Sequence, residues 1–155
     1  MEYFKLLTSK KVQALAQKRE GETRFFEEVG LTSSKKSMED QISKSSAKFV
    51  LFGISEDIGV RANGGKAGTK NAWNSVLRTL LNTQSNRFTN HCQVLILGHF
   101  DFDKIDLKIT DKKEIKTLRK KVNVIDAEVT NLVHLIKKNG KTPMAIGGGH
   151  NNAYG

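Results

Sequence analysis

Three unbroken apolar runs dominate the chain beyond residue 48: Phe49-Val50-Leu51-Phe52-Gly53-Ile54, Val94-Leu95-Ile96-Leu97-Gly98 and Met144-Ala145-Ile146. A strand with one wet face alternates apolar and polar residues, so a continuous run predicts a strand buried on both faces. Between the first two runs, Trp73, Val76, Leu77, Leu80 and Leu81 recur at helical spacing. Between the second and third, Ile115, Leu118, Val122, Ile125, Val129, Leu132 and Ile136 do the same. The pattern predicts strands near 49–54, 93–98 and 143–147, with helices near 70–83 and 113–138. Strand, helix, strand, helix, strand implies right-handed crossovers and a parallel sheet, so the fold class is α/β.

Residues 1–48 are more polar, with apolar clusters at Val12, Leu15 and Ala16 and at Phe25, Phe26 and Val29. They read as a helical segment of one or two helices covering the sheet, with a loop from Thr32 to Ser37. The chain thus divides into 1–48 and an α/β unit over 49–155. Three buried strands leave a long apolar edge unless more chain or a second copy covers it. The unit therefore reads as unfinished at its C-terminal side, and a homo-oligomer is expected.

Composition narrows the class of protein. The 155 residues suffice for one real core, and 37% hydrophobic with 27% charged residues fits a globular chain. No apolar run approaches the roughly 20 residues that cross a bilayer, and MEYFKLLTSKK lacks a signal core, so a cytoplasmic protein without membrane contact is expected. Cys92, the only cysteine, has no partner for an internal disulfide or a thiolate metal site and reads as a half-buried structural residue. The net charge of +10 raises the question of nucleic acid. The excess lies mainly over 104–141, where Lys104, Lys108, Lys112, Lys113, Lys116, Arg119, Lys120 and Lys121 fall between the apolar positions of a helix, without interleaved aromatics for base stacking. They read as a solvated face, with no nucleic-acid partner.

In open parallel sheets ligands bind beyond the carboxyl ends of the strands, which points to Ser55–Thr69, His99–Asp103 and Gly147–Gly155. In Ala145-Ile146-Gly147-Gly148-Gly149-His150, three glycines let the backbone turn sharply and bring an imidazole to the sheet mouth. In His99-Phe100-Asp101-Phe102-Asp103, the alternate residues His99, Asp101 and Asp103 could share one face of an extended strand and bind a divalent ion. Gly65-Lys66 is no phosphate loop, because Val60 stands where the first glycine is required and Ala67 where a Ser or Thr is required. His91 and His134 have no acid or cysteine at ligand spacing and read as surface or packing residues.

The strand, Gly-Gly-Gly, His order resembles the segment that supplies the first manganese ligand in the ureohydrolases, the superfamily of arginase, agmatinase and formimidoylglutamase. The earlier loop agrees. Ser55-Glu56-Asp57-Ile58-Gly59-Val60-Arg61-Ala62-Asn63-Gly64-Gly65-Lys66-Ala67-Gly68, with Ala72-Trp73 beyond it, resembles the substrate-side loop of the formimidoylglutamase branch. That loop reads Glu-Asp-Ile-Gly, Arg-Ala-Asn, a glycine pair around a basic residue, and Ala-Trp in the next helix. The resemblance covers about 49–155; residues 1–48 carry no matching motif.

The resemblance implies an arginase-like three-layer sandwich of which this chain holds the N-terminal half. It also implies hydrolysis of a C–N bond in a small amidine or guanidine, by a hydroxide that two Mn²⁺ ions activate. His150 matches a metal ligand, while Arg61, Asn63 and Asn151 match positions bordering the substrate. Asn151 departs from the family, several members of which carry an acid or a serine there, so the shell around the metal differs. The family's Asp-x-His-x-Asp follows the strand after Gly-Gly-Gly-His, whereas His99-x-Asp101-x-Asp103 precedes it and matches a variable loop. One histidine cannot hold two ions, so the chain alone is expected to be inactive and not to retain manganese. The first loop favours formiminoglutamate over arginine or agmatine. The alternative is a non-catalytic α/β module that binds a ligand or partner.

Overall fold

The computed structural model of the protein describes residues 1–33, 35–88, 91–106 and 113–154. In chain order the elements are β1 (Phe4–Leu6), α1 (Ser9–Leu15), α2 (Phe25–Glu28), β2 (Gly30–Leu31), α3 (Met38–Ser43), β3 (Phe49–Ser55), α4 (Ile58–Ala62), α5 (Ala72–Leu81), β4 (Val94–Asp101), α6 (Lys113–Lys138) and β5 (Thr142–Ile146). The three strands and two long helices expected from the sequence pattern are β3, β4, β5, α5 and α6, but β5 is a largely exposed edge strand rather than one buried on both faces, Met144 being 43% exposed, because among the described residues it pairs only with β3.

Among the described residues five strands form one sheet, in the order β1-β4-β3-β5 with β2 also on β4. β3 runs parallel to β4 and to β5, in registers that include Leu51↔Ile96 and Leu51↔Met144. The chain passes from β3 out to β4 and then back across β3 to β5. The strand order therefore reverses between β3 and β5, and a crevice opens at their carboxyl ends.

Residues 1–48 contain three short helices where one or two are expected, together with two strands that periodicity does not disclose. β2 pairs parallel with the first half of β4, and β1 pairs antiparallel with its second half, Phe4 opposite Phe100. The sheet is therefore mixed rather than wholly parallel, and the outer edge of β4 is covered from within the chain. Strands of two and three residues are too short to show a period and form because β4 offers them a ladder.

Two apolar clusters flank the sheet. On one face Val50, Phe52, Ile54, Leu95, Leu97 and Phe100 pack against Ile42 of α3, Ile58 and Ala62 of α4, and Leu118, Ile125, Val129, Leu132 and Ile136 of α6. On the other, Leu51 and Ile96 pack against Val12, Phe25, Val29, Trp73, Leu77 and Leu81 from α1, α2, α5 and their flanks. Helices thus cover both faces, an α/β arrangement. Val76, on the outer side of α5, is 38% exposed.

The strand alternation slips once. Between Leu51 and Phe52 the register against β4 shifts, Leu51 facing Ile96 while Phe52 faces Gly98. The extra residue in β4 turns Leu97 and Phe100 to the same cluster, an arrangement impossible in a regular pleat. Gly98 carries the distortion at φ 144°, and a Cβ there would stand 2.1 Å from the Lys5 carbonyl oxygen of β1. Only glycine fits both the backbone angle and the approach of β1.

Of the lysine-rich stretch, Lys104, Lys116, Arg119 and Lys120 are exposed. Lys121 is half-buried and bonds the Ile105 carbonyl. Lys108, Lys112 and the side chain of Lys113 lie outside the described residues, as does the side chain of His91. His134 is exposed. Cys92 is also exposed rather than half-buried, because it sits on the short 3₁₀ turn His91–Gln93 that precedes β4 instead of in the strand. Among the described residues no helix is long and apolar enough to cross a membrane.

Candidate functional site at the carboxyl ends of β3 and β5

β3 delivers Glu56 and Asp57 to the crevice, and β5 delivers the turn Gly147–Gly149 followed by a 3₁₀ turn His150–Tyr154. Glu56 is 2% exposed. Its Oε2 accepts the Gly59 N–H at 2.8 Å, while Oε1 accepts the Gly149 N–H at 2.5 Å and the Asn152 side-chain amide at 2.9 Å. One carboxylate therefore satisfies the first turn of α4 and clamps the glycine turn across the crevice. Three N–H donors stabilise a buried charge that would otherwise be costly.

The turn itself is built for that clamp. Gly147 and Gly148 have φ of 91° and 77°, and a Cβ on Gly148 would lie 3.1 Å from Glu56 Oε1 and 2.4 Å from the Asn152 amide nitrogen. His150 follows, exposed, at the rim of a groove of about 320 Å³ between Ile54, Ala145, the glycine turn and Asn152.

Asp57 organises the loop on the other side. Its Oδ1 accepts the Gly68 N–H at 2.9 Å and the Lys70 N–H at 3.0 Å, and the Thr69 hydroxyl lies 2.8 Å away. Burial alone would raise its pKa; these hydrogen bonds and the nearby Arg61 charge outweigh it and hold the pKa below the usual carboxylate range.

The other residues singled out from sequence are dispersed around this crevice. Arg61, at the end of α4, forms an ion pair with Asp106. Asn63 is exposed just past α4. Asn151 packs against Gly59 and donates to Asp126 of α6 at 2.8 Å, so it faces away from the groove that holds His150. Arg61 and Asn63 do not line that groove.

His99, Asp101 and Asp103 are separated by their partners. His99 is 8% exposed and stacks on Trp73 with ring centroids 6.2 Å apart. Burial, reinforced by Lys11 and Lys5 and opposed by Asp101, lowers its pKa to about 4. Asp101 pairs with Lys5 of β1, and Asp103 pairs with Lys70 at 2.7 Å. Among the described residues no group of three or more His, Cys, Asp and Glu side chains is placed to hold a metal ion. The described acids at the strand ends are committed to amides and lysines, so toward the manganese centre implied by the resemblance the described residues offer the exposed His150 and no cluster of carboxylates beside it.

Comparison with models of known families, with curated proteins and with solved structures finds no match.

Sequence reading did not find the clamp made by Glu56, nor Lys70, Asp106 and Asp126 as partners. One local signal was available, since two adjacent acids directly after a strand buried on both faces must be satisfied by neighbouring loops.

Proposed function

We propose that this chain is the N-terminal half of a hydrolase that cleaves the C–N bond of a linear amidine or guanidine, of the formimidoylglutamase kind. The observation that supports this reading is the Glu56 clamp. The two segments that resemble the family, Glu56-Asp57-Ile58-Gly59 and Gly147-Gly148-Gly149-His150, are joined through one buried carboxylate at the point where strand order reverses. Neither sequence match required the other to be adjacent.

On this reading the clamp fixes the glycine turn, and the turn holds His150 at the groove. Two Mn²⁺ ions, the cofactor of such enzymes, would supply a hydroxide at neutral pH. His150 would contribute one imidazole to them. Arg61, Asn63 and Asn151 would act around the substrate through the loops they belong to rather than by lining that groove.

The test is a hydrolysis assay on the natural full-length protein with manganese, offering formiminoglutamate, agmatine and arginine separately. Release of formamide from formiminoglutamate is expected, with little urea from the other two. Ligand binding without any cleavage would favour a non-catalytic module.

A further inference from the structure

His150 stands between two residues that are each tied to a carboxylate on a different element. On one side the Gly149 N–H is held by Glu56 beyond the end of β3. On the other the Asn151 side-chain amide donates to Asp126, midway along α6, at 2.8 Å. That anchor is itself fixed, because Ile125 and Val129, at most 1% exposed, pack their stretch of α6 against the sheet. The space between is shaped for Asn151. A Cβ on Gly59 would overlap Asn151 Oδ1, and one on Gly149 would stand 2.5 Å from the same atom. Two bare Cα atoms therefore form the slot through which this side chain reaches α6. Gly59 lies inside α4 without a positive φ, where alanine would favour the helix, so the slot rather than the backbone favours glycine there.

Glu56 already secures the turn toward β3 through Gly149 and Asn152. The Asp126 bond adds a second direction, so the backbone on both sides of His150 is held while its ring stays exposed. An exposed side chain has no packing of its own to fix it and takes its direction from the backbone that flanks it. We propose that Asp126 and Asn151 are positioning residues for His150, their hydrogen bond setting the direction in which the imidazole leaves the turn. The assignment moves Asn151 from the substrate border, where the resemblance places it, to the support of the histidine. That this imidazole has chemistry to perform rests on the amidine-hydrolase reading; the brace does not.

The experiment follows the His150 ring proton resonances in this chain, without metal, in N151D, in the exchanged pair D126N/N151D and in G59A, with circular dichroism as the check on folding. N151D sets two carboxylates face to face and should shift the His150 signals. The exchanged pair restores one donor and one acceptor with their roles reversed, and should return the signals toward wild type; because both variants carry the same change at 151, their difference isolates the pairing. G59A should shift the signals with no change of charge, by pushing Asn151 off Asp126. In the natural full-length protein with manganese, N151D should lower kcat for formiminoglutamate about tenfold with KM little changed, and the exchange should recover most of the loss. His150 signals that stay at their wild-type positions in folded N151D, or an exchanged pair as perturbed as N151D, would overturn the proposal. If N151D does not fold, unmoved signals in G59A overturn it equally. Signal shifts in a protein that cleaves no amidine sustain the brace while removing its assigned reaction, and hydrolysis with a kcat indifferent to N151D keeps the reaction and overturns the positioning role.

Discussion

The carboxylate of Glu56 and the main-chain amide of Gly149, 93 residues apart in sequence, meet at 2.5 Å across the mouth of the sheet. This contact joins the end of β3 to the turn after β5 and fixes the path of the chain into His150. Glu56→Gln keeps the shape but replaces one acceptor oxygen by an amide that faces N–H groups. It should destabilise the protein by about 2–3 kcal/mol in urea denaturation and speed hydrogen exchange at Gly149. Unchanged exchange at that amide would mean that the turn holds itself.

Gly98 carries a second demand that no side chain can meet. Gly98→Ala combines a φ of 144° with a Cβ 2.1 Å from the Lys5 carbonyl, so β1 must move away or the bulge must collapse. A loss of more than roughly 3 kcal/mol is expected, with the β1 amides losing their exchange protection first. A variant as stable as the wild type would show that the β1–β4 pairing is adjustable.

Acid should weaken the fold in two stages. His99 titrates near 4 when folded and near 6.5 when free, so between these values the unfolded chain takes up a proton that the folded chain refuses. Stability therefore falls as pH drops from about 6.5 to about 4, by at most roughly 3 kcal/mol. Asp57 and Asp101, whose pKa values are lowered, then lose their contribution as pH falls further through their folded values. His99→Phe should flatten the first stage and leave the second. Denaturation midpoints measured from pH 7 to 3 separate the two, and a first stage that survives the substitution would contradict this account.

How much of this could be read from sequence follows from the range of each interaction. β3 and β4 are visible as unbroken apolar runs and α5 and α6 by their helical period, whereas the three apolar residues of β5 mark a strand without disclosing that it is an exposed edge. β1 and β2 are not visible, since three and two residues become strands only beside β4. The bulge at Gly98 was hidden because it depends on the approach of β1, and without it the faces of β4 cannot be assigned. The glycine turn and His150 were legible as a local motif. Their clamp was not, because Glu56 finds its acceptor role only when β3 and β5 lie side by side.

The β5 edge gives a prediction about assembly. Thr142 donates its N–H to the Lys48 carbonyl at 2.9 Å, so alternation turns the backbone of Pro143 away from β3 toward the outer edge. There its missing N–H costs no ladder bond and removes one donor that a second copy could use. Self-association through this edge should be weak, and Pro143→Val should tighten it about fivefold per hydrogen bond gained. Sedimentation profiles that do not differ between the two proteins would exclude β5 as the contact.

The central claim concerns His150, and its most direct test compares wild type with His150→Ala in formiminoglutamate hydrolysis by the natural full-length protein in manganese. This account predicts that kcat/KM falls at least roughly a hundredfold while the thermal midpoint changes little, because the imidazole is exposed at the groove rather than packed in the core. Wild-type kcat/KM in His150→Ala would contradict it.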